Sequence, residues 1–347
     1  MSSSSTSGSP PTDARPGAEE DQPEHEPEPG TEHETGTGGV LVIGGAGFIG
    51  SHLVDRLIAE GELVDVIDDL STGSLGNLAE ARTAVAAGVS SQLHINTLDG
   101  GTDNLADIVA LRRPREIYHL ALLPRSASPT ELGRSFTSML GVLEAARRHG
   151  VTKVIVTLPA TAMYGHPPAR DLPAKEGSFV PRGVRGVVAN AIVDLLGNYR
   201  QSERIEFTAL ATSTVYGPRQ RPHGGVVAAL VDAARRGRPP VLTGEGRQTR
   251  DFVFVDDVVD ALVRSRRRGS GLVVNVGTGV QTAVRDLWTS IAPGGAPPTS
   301  EPARPDELMR FAVSPVRARI HLAWAPWTSL EDGLSALPSV SDEDGYR

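Results

Sequence analysis

The chain of 347 residues has no cysteine, which excludes disulfide staples, thiolate metal sites and a thiol nucleophile. Lysine is nearly as scarce: Lys153 and Lys175 are the two in the chain, and every other basic residue is arginine. Aromatic residues make up 4%, and no apolar run approaches the roughly 20 residues of a membrane span. The opening stretch, MSSSSTSGSPPTDARPG, lacks the apolar segment of a secretory signal, so a cytoplasmic location away from membranes is expected. There is no excess of positive charge either. The net charge is −8, and residues 1–38, with nine acids against Arg15, account for all of it. The other 33 acids and 33 bases cancel. A neutral body argues against a nucleic-acid partner, which requires a basic surface.

What the chain does have is glycine and proline, 38 and 26 of them, with 39% apolar residues. That mixture suits a loop-rich α/β protein. Residues 1–38 hold little that can be buried and are expected to be disordered. His25 and His33, each flanked by Glu, read as part of this solvated acidic tail, and no metal site is expected. Residues 338–347 are polar and should fray. Between these ends, residues 39–44, 63–68, 116–121, 153–158 and 205–211 read as strands, and 51–61, 135–150 and 187–201 as helices. Alternation of this kind predicts a doubly wound parallel sheet covered on both faces. Beyond about residue 217 strands thin out and Pro and Gly become denser. One unit over 39–337 is expected, its sheet mainly in 39–216 and a smaller lobe mainly in 217–337.

The first strand runs straight into GGAGFIG, which places Gly44, Gly47 and Gly50 three apart before a helix. Asp68 ends the second strand 18 positions after Gly50. A strand, a glycine turn, a helix and a distal acid together form the dinucleotide arrangement. Glycine lets the backbone approach a pyrophosphate, whose charge the helix N-terminus meets. Asp68 can accept bonds from ribose hydroxyls and would repel a 2′-phosphate, so NAD is expected over NADP.

Further motifs carry a resemblance. YHLA (118–121), LEAARRHGVTKVIV (143–156), AMYG (162–165), TVYGPRQ (214–220), GEGRQTRDFVFVDDVVDAL (244–262), VNVGTG (274–279) and RPDE (304–307) follow in order. With the glycine loop they resemble the extended short-chain dehydrogenase/reductases, in particular the nucleotide-sugar epimerases and 4,6-dehydratases, over nearly the whole of 40–337. The resemblance implies a Rossmann domain with a C-terminal lobe for the sugar nucleotide. It implies that Gly44, Gly47, Phe48, Ile49 and Gly50 line the pyrophosphate and Asp68 and Asp69 the adenosine ribose. Asn96 and Thr97 fall at the adenine, where the family usually has Asp and an aliphatic residue. Leu120 and Ala121 would lie beside the nicotinamide, and Arg250 and Arg304 would grip the diphosphate of a UDP- or dTDP-linked sugar. It also implies a dimer packed through two helices of each subunit. Leu140, Leu143, Ala146, Val188, Ile192 and Leu195 are expected at the seam of a homodimer, or of a heterodimer with an active relative.

The catalytic positions break the pattern. The family has Ser or Thr four residues before the Tyr of its strand-end motif, and Tyr-x-x-x-Lys at the next helix. Here Ala160 stands at the first position, with Thr161 one place late, Arg182 replaces the tyrosine and Gly186 the lysine. No Tyr-x-x-x-Lys occurs anywhere in the chain. The tyrosine must exchange a proton with the sugar while hydride moves. A phenol titrates near pH 10 and needs the lysine to favour its phenolate; arginine stays protonated and cannot act as the base. Loss of a positioned acid/base typically costs about 10²–10⁴ in rate. A non-catalytic or residually active NAD-binding member of the family is therefore expected. The alternative is an active epimerase or dehydratase using a relocated group, with Thr161, Tyr164, His166 and Lys175 as candidates. Refilling Gly186 with Lys is expected to favour its helix, where glycine costs about 1 kcal/mol.

Overall fold

The computed structural model describes residues 38–88, 92–99, 104–125, 128–177, 179–303 and 305–337. The expected disordered tail, Gly38 apart, and the frayed end 338–347 lie outside the described residues.

Strand β1 (Val40–Ile43) leads into helix α1 (Phe48–Ala59), and β2 (Val64–Asp68) into α2 (Ala79–Ala86). Then come β3 (Leu93–Thr97), α3 (Asn104–Arg112), β4 (Glu116–His119) and α4 (Pro129–His149). Next are β5 (Lys153–Pro159), the short α5 (Ala160–Tyr164), α6 (Gly183–Glu203) and β6 (Glu206–Thr212). The second half adds β7 (Thr214–Tyr216), α7 (Val226–Arg235), β8 (Val241–Thr243), β9 (Thr249–Arg250) and β10 (Phe252–Phe254). It continues with α8 (Val255–Ser265), β11 (Leu272–Val276), β12 (Thr282–Ala283), α9 (Val284–Ile291), β13 (Thr299–Glu301), α10 (Val316–His321) and α11 (Leu330–Ser335).

Seven strands form one parallel sheet in the order β11-β6-β5-β4-β1-β2-β3. The α/β Rossmann-type fold is as expected. Because β1 to β4 are read through with β2 and β3 on one side and β4 on the other, the strand order reverses between β1 and β4. That is the crevice where doubly wound sheets bind their ligands. One core lies between the sheet and α3, α4 and α6, and a second between it and α1 and α8. A third, with Tyr216, Leu230, Phe252, Leu287 and Trp288, holds the C-terminal lobe. Among the described residues, no helix is long and apolar enough to cross a membrane.

Several elements differ from the sequence expectation. Helix α4 begins six residues earlier, where the Ser128 side chain and Glu131 form a reciprocal cap and Pro129 takes the first turn; both devices set a helix start. β3 is an edge strand whose half-buried residues include His94 and Asn96 and whose last residue, Thr97, is exposed, too polar to stand out as a strand. β11 lies far beyond residue 217 yet pairs with β6, so the chain returns from the lobe to complete the main sheet. The proposed dimer seam is corrected in part. Leu143, Ala146 and Ile192 are fully buried within the subunit, because their three-four spacing marks the stripe that α4 and α6 turn to their own sheet. Leu140 stays 38% exposed, and Val188 and Leu195 are half-buried.

Candidate functional site

The glycine loop turns at the carboxyl end of β1, where Gly44 has φ +83°, a region that favours glycine. Its amide donates to the Ile67 carbonyl at 2.7 Å. A Cβ at Gly50 would stand 2.0 Å from the Gly44 carbonyl oxygen, so the third glycine lets α1 press onto the loop. A Cβ at Gly44 would meet Ala121 N at 3.0 Å, which brings the loop against Leu120 and Ala121 at the end of β4. Gly47 is the N-cap of α1, and no side chain caps this end. The first-turn amides of Phe48, Ile49 and Gly50 have no intrahelical acceptor. The helix thus offers donors and a positive dipole end to an anion.

Asp68 is built into the same turn. Its Oδ2 accepts from Ala46 N at 2.9 Å and its Oδ1 from Leu70 N at 2.9 Å. Burial pushes the carboxyl above the usual range, opposed by these backbone donors. Gly73 closes the following loop over it, since a Cβ there would lie 2.7 Å from Asp68 Oδ1. Asp69 is exposed and accepts from Ser71 N and Oγ at 2.9 and 2.6 Å. Asn96 donates to the Val66 carbonyl at 3.3 Å, so its amide is partly committed to the sheet, and Thr97 is exposed. The structure therefore gathers Gly44, Gly47, Phe48, Ile49, Gly50, Asp68, Leu120 and Ala121 at the sheet's switch point.

The other positions are arranged differently. Ala160 is fully buried. Thr161 is half-buried. Tyr164 is buried, and its hydroxyl donates to Asn275 Oδ1 at 2.7 Å. Burial drives its pKa up, the wrong direction for a phenolate base. Arg182 ion-pairs with Asp306 and donates to His166 Nδ1 at 2.9 Å. Burial first, and then Arg182, holds the His166 imidazole below its usual pKa. Tyr164, His166 and Lys175 line one cavity of about 820 Å³ formed by residues between 164 and 177 together with Val180, and no residue of the glycine loop or of β4 lines it. Lys153, the other lysine, is buried at the start of β5 and donates to Arg268 O and Ser270 Oγ, each at 2.9 Å.

Gly186 corrects the sequence expectation outright. A Cβ there would lie 2.3 Å from the Ala162 carbonyl oxygen and 3.1 Å from Pro181 Cβ. The main chain of α5 occupies the space a lysine stem would need, so a side chain at 186 does not favour the helix. Arg250 donates to Glu307 Oε1 at 2.8 Å and to the Leu308 carbonyl at 2.5 Å, leaving its guanidinium engaged within the protein. Arg304 lies outside the described residues.

Sequence reasoning passed over three arginines. Arg185, in the first turn of α6, donates through Nε and Nη2 to the Leu123 carbonyl at 2.9 and 2.6 Å. Leu123 carries a left-handed backbone, φ +54°, and Arg125 follows it. Arg221 donates to Ser71 O and Gly73 O, each at 3.3 Å, fastening the loop after β2 to the segment before α7. The doublet PRQR (218–221) was the available signal for Arg221. Arg185 gave none, because its partner is a backbone carbonyl 62 residues away.

A glycine turn at the switch point of a parallel sheet, an acid ending the next strand and a C-terminal lobe define a Rossmann-type dinucleotide-binding protein. Residues 40–277 match the NAD dependent epimerase/dehydratase family. The chain is 40% identical over 310 residues to UDP-glucose 4-epimerase of Mycolicibacterium smegmatis, covering 85% of this chain and 96% of that one. UDP-glucose 4-epimerase of Thermotoga maritima, solved with UDP-glucose, superposes with TM-score 0.79 at 31% identity, over 86% of this chain and 96% of that one. The Thermus thermophilus UDP-glucose 4-epimerase in complex with NAD gives TM-score 0.76 at 30% identity, over 85% and 96%. The chain belongs to the NAD-dependent epimerase/dehydratase family, and NAD is its cofactor.

Proposed function

We propose that this protein holds NAD and a UDP- or dTDP-linked sugar without the acid–base chemistry of its relatives, so that any turnover is residual. The observation that carries the reading is the Ala162 carbonyl standing 2.3 Å from where a Cβ at residue 186 would begin. The lysine position is not merely empty; backbone has closed over it. With Ala160 buried and Arg182 paired to Asp306, none of the three positions presents a proton carrier. The glycine loop and Asp68 keep a geometry that suits NAD, which supports cofactor roles for Gly44 to Gly50, Asp68, Asp69, Asn96, Thr97, Leu120 and Ala121. Arg250 and Arg304 remain the sugar-nucleotide residues of this reading, in a lobe drawn mainly from 217–337.

The purified protein with NAD should show no epimerase or dehydratase turnover above background on UDP-glucose or dTDP-glucose. Robust turnover that Thr161→Val or Tyr164→Phe abolishes would overturn the reading and establish a relocated acid/base.

Assembly belongs to the same proposal. Leu140 on α4 and Val184 and Val187 on α6 are 38%, 54% and 57% exposed, and they support a homodimer, or a heterodimer with an active relative, through this pair of helices. Light scattering at micromolar concentration should give twice the chain mass, and Val187→Glu should shift it to monomer. A monomer for the unmodified chain, alone and with an active relative, would refute it.

A further inference from the structure

Four arginines, with Arg182 at the vacated tyrosine position among them, gather around the start of α6, and they divide into two kinds. Arg182 is neutralised by Asp306 and Arg250 by Glu307. Arg125 and Arg185 have no ion-pair partner among the described residues. Arg185 is half-buried, and its fork is fixed by two hydrogen bonds to the Leu123 carbonyl. A carbonyl carries no net charge, so the cation is held in place and left uncompensated. Burial, reinforced by the neighbouring Arg125, draws its pKa down to about 10. Arg125 also lies close enough to Arg250 to disfavour that charge. Its Nη1 comes within 3.7 Å of the Cβ position of Gly225, just before α7. The two cations thus sit between the loop after β4, the start of α6 and the C-terminal lobe. The first turn of α6 adds no acid of its own.

Holding two like charges together in a partly desolvated place is unfavourable unless a counter-charge arrives. The diphosphate of a sugar nucleotide falls to Arg250 and Arg304 in the proposed reading. Arg185 and its Leu123 partner instead lie beside Arg182 and Gly186, the positions at which the resemblance implies the acid–base residues. We infer that Arg125 and Arg185 form an anion subsite for the sugar moiety, and that this protein prefers a nucleotide sugar whose hexose bears a carboxylate over its neutral counterpart. The inference rests on the proposed nucleotide-sugar reading. A planar guanidinium takes both oxygens of a carboxylate at once, and Arg185 retains the Nη1 N–H groups and the second N–H of Nη2 for that purpose after its two bonds to Leu123.

Isothermal titration of the full-length protein with NAD present, using UDP, UDP-glucose and UDP-glucuronate, tests it. UDP-glucuronate should bind about tenfold or more tightly than UDP-glucose, as charged hydrogen bonds allow. That ratio should fall towards one in Arg185→Gln and in Arg125→Gln. Arg185 also ties α6 to Leu123, so the exposed Arg125 carries the test if the Arg185 variant loses stability. Arg185→Lys, which keeps the charge without the fork, should retain part of the preference. Equal binding of the two sugars would overturn the anion subsite and leave the nucleotide-sugar reading standing. A preference unchanged in Arg125→Gln would also overturn it. Failure of all three nucleotides to bind would overturn the nucleotide-sugar reading itself.

Discussion

Gly186→Lys should lower the unfolding temperature, and the triple variant Ala160→Ser, Arg182→Tyr, Gly186→Lys should gain no turnover. Two effects compete at this position. Replacing a glycine inside a helix is worth about 1 kcal/mol. Against it stands a Cβ 2.3 Å from a backbone oxygen and 3.1 Å from Pro181 Cβ. The Ala162 carbonyl belongs to α5 and cannot rotate aside as a side chain would, so the two helices must separate. Overpacking of this kind typically costs about 1–3 kcal/mol; a rigid backbone oxygen at 2.3 Å places this contact towards the upper end, so the clash wins by up to about 2 kcal/mol once the helix gain is subtracted. With an unfolding entropy of about 2.1 cal/mol/K per residue, that is a fall of up to about 3 °C for a folded unit of roughly 300 residues. Gly186→Ala isolates the Cβ from the length of the lysine. Gly197→Ala is its control: it lies in the same helix, and a Cβ there meets nothing within 4 Å. Thermal unfolding followed by circular dichroism should show Gly197→Ala unchanged or stabilised and Gly186→Ala destabilised. A Gly186→Ala protein as stable as Gly197→Ala would remove the argument that backbone has closed the site.

That closure was not legible in the sequence, whereas the cofactor end was. Gly44, Gly47, Gly50 and Asp68 are informative because a local rule fixes each: a turn needing positive φ, a helix start, a strand end. The closest partners of these residues, Ala46 for Asp68 and Ile67 for Gly44, lie within the β1–α1–β2 unit that the motif itself spans. Gly186 is the opposite case. Its sequence neighbours say only that a lysine is absent; the reason a side chain does not fit is a carbonyl 24 positions earlier. Likewise the stripe through Leu143, Ala146 and Ile192 reads equally well as a dimer seam or a core face, because periodicity reports that a face is buried and not against what. The edge strand β3 escaped notice because only one of its faces packs, and its residues are all half-buried or exposed. What sets Arg185 and Arg125 apart from Arg182 and Arg250 is that they have no acidic partner among the described residues, a property of the folded chain alone.

Replacing Asp68 should weaken NAD by on the order of 10²-fold and erase the preference for NAD over NADP. Each carboxylate oxygen already accepts one backbone N–H, from Ala46 and from Leu70, both at 2.9 Å. Two carboxylate oxygens offer four lone pairs, and with Gly47 N–H also turned towards the carboxylate, acceptor capacity remains for a ribose hydroxyl in the crevice. A hydrogen bond to a charged group is worth about 1.5–3 kcal/mol, and each 1.4 kcal/mol is a tenfold change in affinity. Asp68→Ala removes both acceptors and also leaves two backbone donors without partners beside the glycine loop. Asp68→Asn should not rescue it, since its NH2 group would face one of those donors. NADP should lose less than NAD, because the repulsion of its 2′-phosphate goes with the carboxylate. The pH dependence carries a definite sign. Burial holds the Asp68 carboxyl above the ordinary range, and ribose hydroxyls need its ionised form. NAD affinity should therefore be full above this raised pKa and decline on acidification sooner than an exposed aspartate would allow. Stability of the free protein runs the other way. With the folded-state pKa raised, the contribution of Asp68 is fully present below the unfolded value of about 3.9 and is lost as pH rises through the folded value. Calorimetric titration of the unmodified protein and both variants with NAD and NADP, at pH 7 and pH 5, measures each part. Unmodified protein that binds NADP as tightly as NAD, or an Asp68→Ala protein that keeps NAD affinity within twofold, would refute the role given to Asp68.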